Sequence, residues 1–202
     1  MHMNILAVGA HPDDIEIGCA GAIAKHVANG DTVMMVVMSA GEEGGAKATT
    51  RLVELSNSAK ELDVSRVECF KYPDRAVPAN HEAIARLDKI IAEFAPSRAY
   101  IPYTHEVHQD HARTSEVALA ACRNLPQILM YEGPSTFPDF RVDFWIDIAE
   151  TIDTKLTALG KYVSQGEKDI LKIDSIRSLN HFRGYQARTT YAEGFHIFRF
   201  IE

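Results

Sequence analysis

Short apolar runs alternate with longer amphipathic stretches along most of the chain. NILAVG (4–9) and TVMMVVMS (32–39) are continuous apolar runs, as expected of parallel strands that are covered on both faces. Between them, the segment from about 14 to 29 carries apolar side chains at helical spacing and is followed by Gly30, which favours a helix end. The pattern therefore predicts a strand, a helix and a second strand, the unit from which parallel sheets are built.

The same alternation predicts the rest of the fold. The expected elements are a helix at about 50–62, a strand at 67–70, a helix at 81–94, a strand at 98–103, a helix at 111–123, a strand at 127–132, helices at about 151–162 and 174–187, and a last strand at 195–201. The turn-rich PSTFPDFRVD (134–143) is expected to be a loop over the sheet. The sequence predicts an α/β fold over 1–202: one Rossmann-like domain with a mostly parallel sheet and helices on both faces.

Composition and charge exclude several classes of protein. Hydrophobic residues make up 46% of the 202 residues, which is typical of a folded domain. The 21 Lys and Arg against 28 Asp and Glu leave a net charge of −7, and no basic run offers a surface for nucleic acid. No apolar stretch reaches the roughly 20 residues that span a bilayer, and the start lacks the features of a signal peptide. We therefore expect a cytoplasmic protein without nucleic-acid partners or membrane insertion.

The three cysteines, Cys19, Cys69 and Cys122, are scattered without CxxC spacing. That spacing predicts small core residues rather than disulfides or a thiolate zinc cluster. A nucleotide-binding domain is disfavoured as well, because the glycines after the first strand do not form GxGxxG, and AHPDD (10–14) places negative charge where a phosphate would need backbone N–H groups.

Two polar clusters follow predicted strands. AHPDD (10–14) comes directly after the first strand, and HEVHQDH (105–111) follows RAYIPY (98–103). Ligands of open α/β sheets bind beyond the carboxyl ends of the strands, so both clusters are expected at the same edge. Two histidines and one carboxylate are one ligand set of catalytic zinc sites, and a candidate set is His11, Asp14 and His111.

The other polar residues of these clusters suit the chemistry around such a metal. Asp13, beside the metal but not on it, is a candidate base for a water that attacks a carbonyl. His108 is a candidate to stabilise the oxyanion, or to protonate a leaving amine, from the opposite side. Asp110 is a candidate to hold an imidazole in the required tautomer.

Simpler structural roles remain open at this point. Asp13 or Asp14 would equally suit the cap of the following helix, and His11 alone would suit a strand end. His105 lies three residues before His108, a spacing that resembles a ligand pair. A group of aromatic residues would suit either a platform for a sugar ring or the core: Tyr131, Phe137, Phe140 and Trp145.

The two polar clusters and the sequence around them resemble the motifs of the PIG-L/LmbE-type zinc deacetylases. AHPDDIEIGCAGAIAKHVANGD is similar to the first motif of that family, and HQDH is similar to its second motif, HxDH. RLVELSNSAKELDV, KLTALGKYVSQ and RGYQARTTYAEGF extend the resemblance over nearly the whole chain.

The resemblance implies a zinc-dependent hydrolase, with iron as an alternative metal, that removes the N-acetyl group from an amino sugar such as N-acetylglucosamine or its conjugate. It implies that His11, Asp14 and His111 bind the metal, that Asp13 is the general base and that His108 assists opposite. It also implies a small-molecule substrate and a homo-oligomer. Hydrolysis of another amide, such as a formamide, or of an ester is the alternative activity.

Arg51 aligns with a substrate-contacting arginine of some members of that family. Its side chain would equally suit a surface pair with Glu54 on the same helix. Segments 41–47 and 133–143 match nothing assigned in the family, so we expect them to determine substrate choice.

Overall fold

Strands and helices alternate along the chain, which the computed structural model describes over residues 2–165 and 173–202. The strands are β1 (Asn4–Gly9), β2 (Thr32–Ser39), β3 (Arg66–Tyr72), β4 (Arg98–Pro102), β5 (Gln127–Tyr131), β6 (Phe144–Asp147) and β7 (Ala192–Phe200). The helices are α1 (Asp14–Ala28), α2 (Ala48–Glu61), α3 (His81–Phe94), α4 (Gln109–Ala121), α5 (Ile152–Leu159) and α6 (Ile173–Ala187).

The described strands form one sheet in the order β3-β2-β1-β4-β5-β7-β6. The five strands from β1 to β5 are parallel to their neighbours, whereas β7 pairs antiparallel with both β5 and β6. The predicted fold class, a mostly parallel α/β sheet, is confirmed. Strand order reverses between β1 and β4, and this switch point is where open sheets of this kind bind ligands.

The core lies on both faces of the sheet. Along β1, Ile5 and Ala7 point into a cluster built with α1, α2 and α5, while Leu6 and Val8 point into a second cluster with α3 and α4. Successive side chains of a strand face opposite sides of a sheet, so a strand covered on both sides needs a continuous apolar run. The run at 4–9 meets that need, and the prediction of helices on both faces is confirmed.

Strand β6 and several element ends were not predicted. β6 has only four residues and pairs with β7 at the edge of the sheet, with its side chains at most half-buried, so its pattern is weak. Helix α4 begins at Gln109 rather than near 111, because the His108 imidazole accepts a hydrogen bond from the Asp110 backbone N–H and caps the helix there. Helix α2 begins at Ala48, two residues before its predicted start.

Helix α1 is broken in the middle, and a buried ion pair bridges the break. Cys19 leaves the helical conformation, and the next free N–H groups, of Gly21 and Ala22, donate to the Glu193 carboxylate at 2.9 and 2.7 Å. The Lys155 ammonium donates to Glu193 at 2.6 Å and to the Ile17 carbonyl at 2.7 Å. Backbone groups freed by the break are thereby satisfied in the core, where leaving them unpaired would be costly. The first half of α1, which carries Asp14, is thus anchored to α5 and β7.

Helix α3 begins at a side-chain cap. The Asn80 side-chain oxygen accepts a hydrogen bond from the Ala83 backbone N–H at 3.0 Å. Asn80→Ala is expected to lower the free energy of unfolding by about 1 kcal/mol, because that N–H loses its partner. Urea denaturation measures the loss, with Asn57→Ala, at an exposed position inside α2, as the control. An equal change in the two variants would contradict the role of Asn80 as a cap.

The cysteine prediction holds for two positions of three. Cys19 and Cys122 are buried in the core, while Cys69 on β3 is half-buried. None of the described helices is both long and apolar enough to cross a membrane. The cytoplasmic location and the homo-oligomer stay predictions.

Candidate metal centre

Both polar clusters lie at the switch point of the sheet. His11 and Asp14 follow β1, while His108 and His111 lie at the start of α4, beyond β4. Because β1 and β4 are parallel neighbours, their carboxyl ends deliver the two clusters to one place. The predicted meeting of the clusters is confirmed, with the His11 and His111 rings 5.4 Å apart between centroids.

Three side-chain atoms converge as a set of metal ligands would. The distances are 3.4 Å from His11 Nδ1 to His111 Nε2, 3.3 Å from His111 Nε2 to Asp14 Oδ2 and 3.7 Å from His11 Nδ1 to Asp14 Oδ2. Zinc bonds of about 2.0–2.2 Å at tetrahedral angles separate their donor atoms by about 3.3–3.6 Å. The three atoms therefore fit a tetrahedral ion that keeps one further position for water or substrate.

The tautomer of His11 suits this arrangement. Its Nε2 lies 3.0 Å from Asp74 Oδ1 and 3.2 Å from Asp110 Oδ2. A neutral imidazole facing two carboxylates carries its proton on that nitrogen, which leaves the Nδ1 lone pair directed at Asp14 and His111. Asp74 and Asp110 thus orient His11 for binding through Nδ1.

His111 is oriented by a second network. The Ser135 hydroxyl donates to Glu106 Oε2 at 2.6 Å, so its oxygen is left to accept a hydrogen bond from His111 Nδ1 at 3.0 Å. The proton of a neutral His111 then lies on Nδ1, and the Nε2 lone pair faces the other two donors. Both histidines present an unprotonated nitrogen to the same point, as metal binding requires.

Carboxylates give this cluster a strong affinity for positive charge. Burial disfavours protonated His11, but hydrogen bonds to Asp110, Asp14 and Asp74 outweigh it and raise its pKa to about 12. Burial opposes charge on Asp14 as well, but the charges of His111 and His11 and the bonds to Asp14 hold its pKa below the usual range. Asp14 Oδ2 also accepts the backbone N–H of His11 at 2.8 Å. A cation fits the centre of such a cluster.

A second set of potential ligands overlaps the first and suits a metal less well. It combines His11 with His108 and Asp110. The Asp110 carboxylate already accepts backbone N–H groups from Arg75 at 2.6 Å and Val77 at 3.2 Å in addition to its contact with His11. Its oxygens are therefore committed to holding the loop and His11, which is the positioning role expected of Asp110.

Asp13 lies beside the three donor atoms in a strained conformation. Its φ of 108° is rare for a residue with a side chain, and strain of this kind often marks a functional site. The buried Arg51 guanidinium donates to Asp13 Oδ2 from Nη1 and Nη2 at 3.3 and 3.2 Å, and Oδ1 accepts no hydrogen bond from the described residues. Burial raises the pKa of Asp13 to about 7, although the Arg51 charge opposes the rise.

His108 lines the same cavity as Asp13, with its ring stacked 4.8 Å from that of His111. Its Nδ1 accepts the Asp110 backbone N–H at 3.2 Å, so a neutral His108 carries its proton on Nε2. Burial, together with the charges of His111 and His11, lowers the pKa of His108. The neutral ring is still a hydrogen-bond donor through Nε2.

The centre opens into a cavity of about 540 Å³. His11, Asp13, Asp14, His108 and His111 line its floor, and the glycine-rich segment 41–45 contributes part of its wall. Pro134 and Ser135 bring the loop 133–143 to the same cavity. Both segments that the sequence left unassigned therefore contribute residues to its wall, and their effect on substrate choice stays a prediction.

Several alternatives can now be decided. A surface pair of Arg51 with Glu54 is wrong, because Arg51 is only 3% exposed and binds Asp13 and the Pro12 carbonyl, while Glu54 accepts from Ser164. Asp13 stands at the N-cap position of α1, but its side chain makes no capping hydrogen bond there. His105 stacks on Phe137 and pairs with Asp139 at the surface, outside the cavity.

The aromatic platform is not found in the main cavity. Its described lining includes none of Tyr131, Phe137, Phe140 and Trp145. Tyr131 is buried and donates to the Val8 carbonyl at 2.8 Å, and Phe140 packs edge-on against Tyr103. Both belong to the packing of the fold.

Four residues around the site were not predicted from the sequence: Asp74, Arg75, Glu106 and Ser135. Glu106 lies inside the polar cluster HEVHQDH, and that position was its only signal. Asp74 and Arg75 follow β3, so the strand-end rule that identified the two clusters applied to them too. Ser135 had no comparable signal.

Fold and site together define an α/β protein with a buried histidine and carboxylate centre at the topological switch point. The chain belongs to the PIG-L family: the family model, described as GlcNAc-PI de-N-acetylase, matches residues 6–122. The uncharacterized deacetylase YaiS of Escherichia coli K12 is 36% identical over 168 residues, which cover 80% of this chain and 91% of that protein. The family resemblance drawn from the sequence is confirmed.

Solved structures share the fold over nearly the whole chain. The N,N'-diacetylchitobiose deacetylase of Pyrococcus horikoshii has a TM-score of 0.86 and 26% identity, over 96% of this chain and 83% of that one. The 4-carboxy-2-hydroxymuconate hydratase GalB of Pseudomonas putida KT2440 has a TM-score of 0.88 at 22% identity, over 100% and 99%. A hydratase and a deacetylase thus share this architecture, so the reaction has to be argued from the site.

Proposed function

We propose that this protein is a metal-dependent N-deacetylase, which hydrolyses the acetamide of an amino sugar with one water to acetate and a free amine. The observation that carries the proposal is the convergence of His11 Nδ1, Asp14 Oδ2 and His111 Nε2 within 3.3–3.7 Å of one another, with Asp13 beside them. Membership of the PIG-L family and the similarity to diacetylchitobiose deacetylase support the choice of an N-acetyl amino sugar.

His11, Asp14 and His111 would hold the ion, zinc or iron. A divalent ion bound there supplies Lewis acidity toward the acetyl carbonyl and lowers the pKa of water. The hydrogen bonds from His11 to Asp74 and Asp110, and from His111 to Ser135, keep the ligand nitrogens directed at one point.

Asp13 acts as the general base in this proposal. Its Oδ1 is free to take the proton of the attacking water, while Arg51 holds Oδ2 and fixes the orientation of the carboxylate. Asp13 and Asp14 line the same cavity, in which the acetamide of the substrate would bind. Arg51 accordingly acts as a positioning residue for the base rather than as a contact to the substrate.

His108 stabilises the oxyanion from the other side. Donation from Nε2 needs only the neutral ring, because the Asp110 backbone N–H already occupies Nδ1. The proton for the departing amine then comes from Asp13, which holds the one it took from the water, because a neutral imidazole is not an acid at neutral pH. Asp110, whose side chain touches His11 and the loop after β3, is a positioning residue.

Amine release from a panel of N-acetylated amino sugars tests the activity. Zinc-loaded protein is expected to release primary amine, and a chelator-treated sample is expected to release none. N-formyl and ester analogues in the same panel test the alternative reactions. Release from formamides or esters alone, or release that a chelator leaves unchanged, would overturn the proposal.

Asp110→Asn is expected to weaken zinc binding by about 10- to 100-fold, as is typical when a group that orients a ligand is lost. Among the described residues, the Asp110 carboxylate accepts hydrogen bonds from two backbone N–H groups and from Nε2 of neutral His11. The NH₂ group of an asparagine cannot accept any of these hydrogen bonds, so at least one of the three donors loses its partner. Competition with a chromophoric chelator measures the affinity. Asp88→Asn, at a surface pair with Arg123, is the matched control, and equal affinities in the two variants would refute the role of Asp110.

A further inference from the structure

Arg75 has a backbone conformation that an arginine adopts only at a cost. Its φ is 64°, in the left-handed region where glycine is favoured. The Arg75 backbone N–H donates to Asp110 Oδ2 at 2.6 Å, which holds the loop after β3 in this shape. A glycine would make the same backbone hydrogen bond without strain. The backbone of this position therefore does not explain why it carries an arginine side chain.

The guanidinium of Arg75 is an available cation on the cavity wall. Arg51 and Arg75 both line the cavity, but Arg51 is buried and donates to Asp13 and to the Pro12 carbonyl. The Arg75 side chain is exposed and makes no hydrogen bond or ion pair with any residue in the described ranges 2–165 and 173–202. Among the described residues, Arg51 keeps only its buried Nε without a hydrogen-bond partner, whereas the whole guanidinium of Arg75 is without one.

The cavity that Arg75 lines also carries carboxylates, so an anionic ligand there depends on direct contact with the guanidinium. Glu43 lines the same cavity, and the chain as a whole carries a net charge of −7. A negatively charged substrate gains nothing from the general field of this surface. Its binding is favoured only where its oxygens contact the guanidinium, which can donate two parallel hydrogen bonds to a carboxylate or a phosphate.

We propose that Arg75 binds an anionic group, a carboxylate or a phosphate, on the aglycone of the amino sugar. The inference rests on the proposed deacetylase function and narrows it to acidic conjugates. The cavity of about 540 Å³ falls within the usual range of about 300–1,000 Å³ for ligand sites, which leaves room for a substituent beyond the sugar ring. In this proposal Arg51 positions Asp13, and Arg75 makes the contact with the anionic group of the substrate.

Matched glycosides test the proposal. The methyl glycoside of N-acetylglucosamine is neutral, the carboxymethyl glycoside adds a carboxylate, and the anomeric phosphate adds a phosphate. The zinc-loaded protein is expected to show a kcat/KM about 10- to 100-fold higher for at least one anionic compound than for the methyl glycoside. A higher kcat/KM for the carboxymethyl glycoside would identify the anionic group as a carboxylate. A higher kcat/KM for the anomeric phosphate would identify it as a phosphate. Calorimetric titration of each compound, which needs no turnover, gives the same comparison as binding constants.

Arg75→Gln is expected to bring these ratios close to one, because it lowers kcat/KM for the anionic compounds far more than for the methyl glycoside. Arg75→Gly relieves the positive φ at this position, so its Tm is expected to stay the same or rise. The variant is also expected to lose the higher kcat/KM for the anionic compounds. Arg188→Gly is the matched control, because Arg188 is also exposed with a φ of 60° but does not line the cavity. Arg188→Gly is expected to change Tm by a similar amount and to keep the higher kcat/KM for the anionic compounds.

The outcomes separate the two proposals. Ratios near one in the unaltered protein, or ratios that survive Arg75→Gln, overturn the anion site while the deacetylase proposal stands. If no compound is deacetylated, the proposed function fails, and the calorimetric ratios still decide whether Arg75 binds the anion.

Discussion

Asp13→Asn is expected to lower kcat/KM for acetyl hydrolysis by about 10²–10⁴-fold while zinc remains bound. Asparagine has the shape of aspartate but cannot take a proton from water at neutral pH. Its side-chain oxygen still accepts from Arg51, and asparagine tolerates the positive φ of position 13 better than most residues. The loss therefore reports the missing base rather than a disturbed fold.

Metal content and steady-state rates measured on the same preparation test this expectation. Asp88→Asn, on the exposed face of α3, controls for the loss of one carboxylate and is expected to retain full activity. An Asp13→Asn protein that holds zinc and turns over at the unaltered rate would remove Asp13 from the reaction. A protein that has lost its zinc would instead make Asp13 a contributor to the metal centre.

His111→Ala is expected to weaken zinc binding by more than the roughly 10- to 100-fold that loss of an orienting group causes, and to abolish detectable amine release. The substitution removes one of three donor atoms that lie 3.3–3.7 Å apart, and the two remaining donors cannot complete a tetrahedral site. Asp14→Ala is expected to have the same effect on zinc. It also frees the backbone N–H groups of Ala10 and His11, so a loss of Tm should accompany it.

His105→Ala is the control for His111→Ala. It removes an imidazole from the same segment, but His105 pairs with Asp139 at the surface. Zinc content after dialysis, with kcat/KM on the best substrate, measures both variants. Full zinc content in His111→Ala, or equal zinc loss in His105→Ala, would contradict the proposed ligand set.

Buried hydrogen bonds outside the cavity hold the backbone of the centre. The substitutions described above are therefore expected to change the centre only locally. Glu16, only two residues after Asp14, is buried and accepts hydrogen bonds from Ser58 and Tyr162 at 2.6 Å each, which ties α1 to α2 and to the segment after α5. Lys155 and Glu193 hold the break in the same helix. The backbone of the site is therefore anchored by residues that do not line the cavity.

The sequence alone determined the order of all the elements except β6, and it placed the candidate site at the ends of β1 and β4. Apolar runs such as 4–9 and 32–39 predict buried parallel strands because both faces of such a strand must be covered, and this holds wherever the strand lies in the sheet. AHPDD and HEVHQDH were placed together because the carboxyl ends of parallel strands meet at one edge. The choice of His11, Asp14 and His111 followed from the chemistry of the side chains and from the family motifs.

Only the tertiary structure decided how the side chains are held and what lies around them. Strand β6 exists through its pairing with β7, a contact that no local pattern encodes. Asp74 and Ser135 reach the centre from loops distant in sequence, and Arg51 turns to Asp13 rather than to Glu54. Each of these contacts depends on where other segments of the chain fold. Periodicity and spacing describe one segment at a time, so the network that orients the ligands becomes visible only when the segments meet.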